Sequence, residues 1–184
     1  MFDDVIESIR PSLVQRRRWL DEALKAAEAL IFNALDTPAR IQHKGRIDLV
    51  TETDMAVEAL LIDGINTHFP HDQILAEESG SSGSDGAFRW VIDPIDGTTN
   101  FSNRLPHFCI SVALQYMGKL VMCSIYDPVK HHHFRAEKGS GAFLNDKPIH
   151  VSQASDLLNG LLATGFSYDR HQRPDNNVSE FDYM

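Results

Sequence analysis

The stretch Trp90-Val-Ile-Asp-Pro-Ile-Asp-Gly-Thr-Thr-Asn100 decides how this chain is expected to fold. Its apolar beginning predicts a buried strand that delivers Asp93 and Asp96 at its C-terminal end. Pro94 stiffens the turn between the two acids, and Gly97 permits a sharp bend or the close approach of a ligand. The residues after Gly97 are expected to open a helix, whose free backbone N–H groups suit an anion.

Two carboxylates so close together repel each other unless a cation lies between them. Mg²⁺ is a hard cation that prefers oxygen ligands, and the backbone carbonyl of Ile95, between Asp93 and Asp96, is a further candidate ligand. The pair therefore indicates a magnesium site rather than two acids that lie on a turn without binding a metal.

Two upstream segments also place acids at the ends of predicted elements. Glu77 and Glu78 follow a short apolar strand at 74–76, and Asp54 closes the segment Asp48-Leu-Val-Thr-Glu-Thr-Asp54 at the start of a predicted helix. If folding brings these acids together, they form an oxygen-rich cage for a metal-assisted phosphate site. The alternative is that each acid caps a helix or a turn, and this alternative is strongest for Asp54 taken alone.

Helical spacing dominates the first part of the chain. Apolar residues recur at helical intervals through the first 36 residues, with Pro11 predicting a break after Arg10 or a helix start. A second helix is predicted from Thr53 to about Phe69, where Pro70 follows. The run Arg16-Arg17-Arg18 is interpreted as part of a solvated helix face.

Strand patterns replace helical ones after residue 73. Residues 108–114 alternate between apolar and smaller or polar side chains, and more strand and turn units follow. Residues 79–86 are predicted to be a loop and 161–164 a last strand, while the run 131–133 of three histidines is expected in an exposed turn. Helices followed by meandering strands predict an α/β fold of the layered, α+β kind.

Composition restricts the function classes. The 26 acids and 17 bases of the 184 residues give a net charge of −9, which repels nucleic-acid backbones, so no nucleic-acid partner is expected. No apolar run is long enough to span a membrane, and the acidic start of the chain does not resemble a signal peptide. Cys109 and Cys123 show no metal or disulfide spacing, which favours a cytoplasmic protein with reduced thiols.

These motifs resemble the inositol monophosphatase family of Mg²⁺-dependent, lithium-sensitive phosphatases. Asp93 to Asn100 is similar to the first signature of that family, and 48–54 and 77–79 are similar to its two upstream segments in the same order. The likeness covers residues 5–168. It implies one family domain over 1–184, a sugar-phosphatase-like fold with alternating layers of helices and mostly antiparallel sheet, and a homodimer, since family members are often dimers.

The resemblance also implies a role for each site residue. Metal ligands are expected at Glu77, Asp93, Asp96 and the carbonyl of Ile95, with two or three Mg²⁺ in the complete family site and Li⁺ as an inhibitor. The Thr98 hydroxyl, oriented by Asp54, is expected to position and help deprotonate the attacking water. The phosphate is expected to be held at this same site, with Glu77, Ile95 and Asp96 around it and the backbone N–H groups of Gly97 and Thr98 gripping it. Lys44 is a looser match near the entrance.

The expected reaction is hydrolysis of a small phosphate monoester, with inositol 1-phosphate as the first candidate. Histidinol phosphate, fructose 1,6-bisphosphate and a nucleotide 3'-phosphate are alternative substrates of similar folds. The family also has a C-terminal Trp-Asp motif whose Asp is a ligand of the second metal, and nothing in residues 166–184 resembles it. The match therefore implies an N-terminal portion of the family domain, for which a catalytically impaired fragment is a further alternative.

Overall fold

Helices precede strands along the chain, as the sequence predicts. A computed structural model describes residues 2–36, 41–44, 48–166, 171–172 and 176–183, without the side chains of 2–3, 41–44 and 48–51. Within these ranges the helices are α1 (Phe2–Leu35), α2 (Glu52–His68), α3 (Thr98–Ser102) and α4 (Val178–Tyr183). The strands are β1 (Ile41–Lys44), β2 (Asp48–Thr51), β3 (Gln73–Ala76), β4 (Gly80–Gly83), β5 (Phe88–Asp96), β6 (Cys109–Tyr116), β7 (Lys119–Asp127), β8 (His132–Glu137), β9 (Gly141–Leu144) and β10 (Lys147–Ile149).

Eight of these strands form one sheet in the order β10-β9-β8-β7-β6-β5-β3-β4, and β1 pairs separately with β2. Every neighbouring pair in the large sheet is antiparallel except β3 and β5, which run parallel. The parallel pair matters for function because it brings the C-terminal ends of two strands to the same edge of the sheet.

Helices α1 and α2 cover one face of the large sheet, which gives the layered α/β architecture. Alternate residues of β5 and β6 point into this layer, and each helix contributes an apolar stripe at helical spacing. The largest side chains that are completely buried there include Leu13, Leu20, Leu24, Ile31, Leu61, Ile65, Trp90, Ile110 and Leu114. Trp19 packs edge-on against Trp90, with ring centroids 5.4 Å apart, so both tryptophans anchor the layer.

The predicted break at Pro11 is wrong, because α1 continues through it from Phe2 to Leu35. Proline inside a helix removes one backbone hydrogen bond, at a cost of about 3 kcal/mol. Burial of Ile6 and Ile9 before it and of Leu13 after it offsets that cost, since each such side chain contributes about 1.5–3 kcal/mol. No helix in the described part of the chain combines the length and the apolar character needed to cross a membrane.

Arg16 also departs from the sequence interpretation. It is buried, and its Nε and Nη2 donate to the two carboxylate oxygens of Asp72 at 2.8 and 2.7 Å. Its position between Leu13 and Leu20, at helical spacing, places it on the buried stripe of α1. Arg18 is exposed, as predicted for the run.

Two compact units divide the chain: Met1–Gln42 with Leu49–Ile149, and His43–Asp48 with His150–Met184. In the second unit, a 3₁₀ helix at Leu157–Asn159 is capped by the Asp156 carboxylate, and the rings of Phe166 and Phe181 meet edge to face.

Two local predictions fail. Residues 161–164 are not a strand; Leu161 is fully exposed, so nothing buries the apolar run. The predicted loop at 79–86 contains β4, which pairs with β3 although its sequence is only glycine and serine. Backbone hydrogen bonds to an existing strand are sufficient to order such a segment. Its glycine and serine residues form no side-chain pattern that predicts a strand.

Candidate active site

The parallel pair β3–β5 brings two of the predicted acids together. Ala76 is in register with Ile92, and the backbone N–H of Glu77 donates to the carbonyl of Ile92 at 3.1 Å. Glu77 therefore follows the end of β3 directly beside Asp93. The arrangement results from strand direction, because only parallel strands end at the same edge.

A bulge in β5 places Asp96 on the same face as Asp93. Asp93 is opposite Ser111 and Asp96 is opposite Cys109, so β5 has one residue more than β6 between these pairs. In a regular strand two residues three apart face opposite sides, and the extra residue restores a common side. The expectation of a turn between the acids is therefore corrected: strand pairing continues to Asp96.

Helix α2 supplies the third acid from its first turn. Asp54 is only 2% exposed, and its charge acts on Asp93. One turn later on the same face, Glu58 is also buried. Its two carboxylate oxygens each accept a backbone hydrogen bond at 2.9 Å, from Glu78 and from Ser79. Glu58 thus holds the turn that begins at Glu77.

Asp54, Glu77, Asp93 and Asp96 together form what we call the acidic edge. Burial, the largest cause, and the negative charges of Glu77, Asp96 and Asp54 together raise the pKa of Asp93 from 3.8 to about 7. One oxygen of Asp93, Oδ1, is buried and has no hydrogen-bond partner among the residues that the structure describes. A buried carboxylate oxygen without a donor has the environment that a bound metal ion would stabilise.

The donor set of the acidic edge fits Mg²⁺ in its chemistry. The side chains offer carboxylate oxygens, and those of Glu77 and Asp96 are exposed. In the described part of the chain no group of three or more His, Cys, Asp or Glu side chains is arranged to hold a metal ion as it stands. Carboxylates with no cation between them repel each other, which disfavours a ready-made arrangement. The fit to Mg²⁺ therefore rests on the buried Asp93 oxygen without a partner and on the carboxylate oxygens that the site offers as ligands.

The segment after β5 turns sharply into α3, as predicted. Gly97 has a φ of 98°, and a Cβ there would lie 3.0 Å from the carbonyl oxygen of His107, so only glycine fits. The Thr98 hydroxyl donates to the carbonyl of Ile95 at 3.0 Å. Thr98 and the Ile95 carbonyl therefore lie together beside the acidic edge.

Sequence reasoning missed two residues at this site. Glu58 was detectable as an acid four residues after Asp54 on the apolar stripe of Val57 and Leu61, where an exposed acid is not expected. Cys109 is the second, since its Sγ lies 3.9 Å from Asp96 Oδ2. Burial and the charges of Asp96 and Asp93 raise the pKa of the Cys109 thiol to about 12, so it stays protonated at neutral pH.

Lys44 and the run of three histidines are not part of the acidic edge as the structure describes it. The Lys44 side chain is outside the described residues. Of the three histidines, His131 lies in an exposed turn as expected, but His132 and His133 begin β8. His133 is largely buried against Ser124, with 2.7 Å between its Nε2 and the serine Oγ, and burial lowers the pKa of His133. The exposed-turn prediction is therefore wrong for two of them.

A layered α/β domain whose acids meet at the ends of a parallel strand pair, beside a glycine turn into a short helix, defines a candidate metal-assisted phosphatase. Comparison with known proteins identifies the family. The family model described as "Inositol monophosphatase family" matches residues 15–183. The chain belongs to the inositol monophosphatase family, so the resemblance drawn from the sequence is confirmed.

Individual relatives support the same assignment. The chain is 44% identical over 171 residues to the inositol-1-monophosphatase of Synechocystis, and the match covers 90% of this chain and 60% of the relative. It is 42% identical over 153 residues to Nus factor SuhB of Escherichia coli K12, covering 82% of this chain and 57% of that protein. The chain thus spans 60% or less of the length of these relatives.

Solved structures agree with the fold. An inositol monophosphatase structure from Anabaena superposes with a TM-score of 0.81 at 41% identity, covering 94% of this chain and 63% of that one. A structure of an IMPase/NADP phosphatase, described as complexed with Mg²⁺ and phosphate, gives a TM-score of 0.67 at 30% identity and covers 74% of this chain and 53% of that one. The predicted layered α/β fold is confirmed.

Proposed function

We propose that this chain is a Mg²⁺-dependent phosphomonoesterase whose chemistry takes place at the acidic edge. The observation that carries the proposal is Asp93, a carboxylate with a pKa near 7 and one buried oxygen without a partner, flanked by Glu77 and Asp96. Family membership supports the reaction class, and inositol 1-phosphate is the substrate to test first.

Glu77, Asp93, Asp96 and the carbonyl of Ile95 are the groups that would hold magnesium. When bound, Mg²⁺ supplies Lewis-acid activation of water and neutralises charge on the phosphoryl group. Two or three ions, and inhibition by Li⁺, remain part of the proposal on the strength of the family resemblance. The relative whose structure is described with Mg²⁺ and phosphate supports this choice of metal.

The chain's own residues have separate tasks in this proposal. Gly97 and Thr98 present backbone N–H groups toward the phosphate, at a turn too tight for a side chain. In this structure the Thr98 hydroxyl donates its one proton to the Ile95 carbonyl at 3.0 Å. To position a water for attack, it would turn that proton toward the Asp54 carboxylate. A threonine hydroxyl alone is a weak base, so the buried carboxylate of Asp54 serves as the proton acceptor behind it.

The test combines metal binding with turnover on the 184-residue chain. Calorimetric titration with Mg²⁺, and phosphate release from inositol 1-phosphate with Mg²⁺ or EDTA, would be measured for the wild type, Asp93→Asn and Asp85→Asn. Asp85 is an exposed acid and serves as the matched control. We expect Asp93→Asn to lower kcat/KM by about 100-fold or more and to weaken Mg²⁺ binding, because the central ligand is lost.

The possible results separate the candidates. Equal turnover by Asp93→Asn and wild type contradicts the proposed site. Mg²⁺ binding without hydrolysis favours the catalytically impaired alternative. A higher kcat/KM with histidinol phosphate, fructose 1,6-bisphosphate or a nucleotide 3'-phosphate would leave the proposed site unchanged and replace the proposed substrate. The reason is that kcat/KM ranks substrates by transition-state binding.

A cytoplasmic location and a homodimer complete the proposal. The two cysteines are unpaired in the structure, which supports a reducing compartment. Sedimentation of the chain at several concentrations tests the dimer.

A further inference from the structure

The large sheet has two faces, and helices α1 and α2 cover one of them. Successive side chains of a strand point to opposite faces, so the residues that alternate with the buried positions of β5 and β6 lie on the other face. Residues directly opposite each other on neighbouring strands share a face. The strand register therefore joins residues of this other face into a row from β5 to β10, which consists of Asp93, Ser111, Ile125, Phe134, Leu144 and Lys147.

A second row lies beside the first, two residues away along each strand. It consists of Val91, Ala113, Cys123, Ala136, Ala142 and Ile149. We call the two rows together the open face. Each of its side chains is at least partly exposed, and Ile125 and Phe134, at its centre, are 41% and 38% exposed. A connected apolar surface of this kind is unfavourable in water and marks an interaction site.

The first row of the open face has a negative end and a positive end. Asp93, at the β5 end, belongs to the acidic edge, and Lys147, at the β10 end, is exposed. The four residues between them carry no charge. A two-fold rotation about an axis parallel to the strands, between β7 and β8, reverses the row and lays each end over the opposite end of a second copy. The open face is therefore complementary to itself in charge.

The dimensions of the open face also suit a second copy. From the usual strand spacing and rise per residue, its six strands present about 500 Å² of sheet, so a pair of copies buries about 1,000 Å² in total, near the lower limit for a specific interface. Sheets that pack face to face with nearly aligned strands lie about 10 Å apart, which allows large side chains of the two copies to meet.

We propose that the open face binds a second copy of this chain, with Ile125 of each copy against the partner's Phe134 and Lys147 over the partner's Asp93. The inference rests on the homodimer proposed above and names its interface, and it does not depend on phosphatase activity. Because the buried area is small, the dimer should dissociate on dilution.

Sedimentation velocity over a range of protein concentrations tests the interface. EDTA is present because a bound Mg²⁺ would offset the negative end of the row. Phe134→Lys and, separately, Ile125→Lys should each raise the dimer Kd at least about tenfold, because each places an unpaired charge at the centre of the interface. Phe32→Lys is the matched control, since Phe32 lies on α1 and is also 38% exposed, and its Kd should equal that of the wild type.

The results distinguish this interface from the homodimer itself. A dimer whose Kd is unchanged in both open-face variants retains the homodimer and overturns the interface. A wild-type chain that is monomeric at every concentration overturns both, and neither result bears on phosphate release.

A charge reversal tests the orientation of the two copies. Lys147→Glu should raise the Kd about threefold or more at low ionic strength, and this effect should diminish as salt is added, because exposed charges are screened. Lys25→Glu, at an exposed lysine on α1, is the control and should leave the Kd unchanged. Equal Kd values for the two variants overturn the proposed orientation.

Cys123 reports directly on what covers the open face. It is a free, half-buried thiol in the second row, so its alkylation by iodoacetamide, followed by peptide mass spectrometry, should slow as the protein concentration rises through the Kd. Protection at every concentration in a monomeric chain would mean that the chain's own residues cover the face. Labelling of Cys123 that is as fast in a dimer as in the monomer would mean that the copies meet elsewhere. Either result overturns the proposal.

Discussion

The two ends of the β3–β5 strand pair carry buried carboxylates in opposite circumstances. At the end where the strands begin, Asp72 accepts from Arg16 at 2.8 and 2.7 Å and from Trp90 Nε1 at 2.9 Å. At the end where they finish, Asp93 has an oxygen without a partner and three acids around it. We call the first the paired end; the second is the acidic edge.

The difference separates stability from function within one pair of strands. A buried charge whose hydrogen bonds are complete locks the packing around it, whereas an uncompensated charge costs stability. Such a cost is typical of functional sites, where the missing partner is a ligand. The paired end is therefore expected to respond in folding measurements, and the acidic edge in metal-binding measurements.

Breaking the paired end should give the largest effect. Arg16→Ala leaves Asp72 charged in a site where only 4% of its surface is exposed, and it removes the guanidinium stacked 3.8 Å from the Phe88 ring centroid. We expect the free energy of unfolding to fall by about 3–5 kcal/mol, measured by urea denaturation. Arg18→Ala, on the exposed face of the same helix, should change it by less than about 0.5 kcal/mol. A loss below about 1 kcal/mol for Arg16→Ala would mean that the pair adds little to stability.

Sequence reasoning identified the two ends unequally, for physical reasons. The acidic edge was predictable because its acids stand at element ends in a short signature, where local spacing carries chemical meaning. Arg16 was misplaced because a run of three arginines suggests solvent, and only the spacing from Leu13 to Leu20 indicates burial. The partner, Asp72, lies 56 residues away, and no local pattern connects the two.

The bulge and the glycine-serine strand mark the limit of such prediction. Alternation located β5, but the additional residue between Asp93 and Asp96 becomes visible only against β6. Likewise β4 exists because β3 offers it a free edge, not because its own side chains favour a strand. Properties that arise from pairing between segments are absent from a single segment's pattern.

Removing the Glu58 carboxylate, which holds the turn that begins at Glu77, should give the second-largest loss of stability. Glu58→Ala removes the acceptor for the backbone N–H groups of Glu78 and Ser79, which costs about 2 kcal/mol of stability because water replaces the bonds only in part. If Glu77 is a metal ligand as proposed, its displacement should also raise the Kd for Mg²⁺ by about tenfold, as is typical when a ligand's support is removed. Glu58→Gln retains one acceptor oxygen, so its stability and its Kd for Mg²⁺ should lie between those of the wild type and Glu58→Ala.

Arg16→Ala is the control that distinguishes position from stability. It should lower the unfolding free energy more than Glu58→Ala does, yet leave the Kd for Mg²⁺ unchanged at a temperature where both variants are folded. If Mg²⁺ affinity instead follows stability across the three variants, the two ends are not functionally separate.

Removing the charge of Asp93 should give the smallest change in the free energy of unfolding, and this change should be an increase. In EDTA, Asp93→Asn removes a carboxylate that burial and neighbouring acids destabilise, so the variant should be more stable than the wild type at pH 8. The gain should be about 1 kcal/mol, well below the full value of the pKa shift, because Asp93 is partly exposed and water screens the repulsion.

The pH dependence of this gain follows from the raised pKa of Asp93. Between its ordinary value of 3.8 and about 7, the folded wild type binds more protons at Asp93 than the unfolded chain does, so this group's contribution to stability declines as the pH rises through that interval. Asparagine does not titrate. The advantage of Asp93→Asn should therefore shrink from pH 8 to pH 5. Asp85→Asn, at an exposed acid outside the acidic edge, is measured beside it as the control. A difference between Asp93→Asn and wild type that stays constant over this range would show that the acidic edge is already compensated, and the contrast with the paired end would disappear.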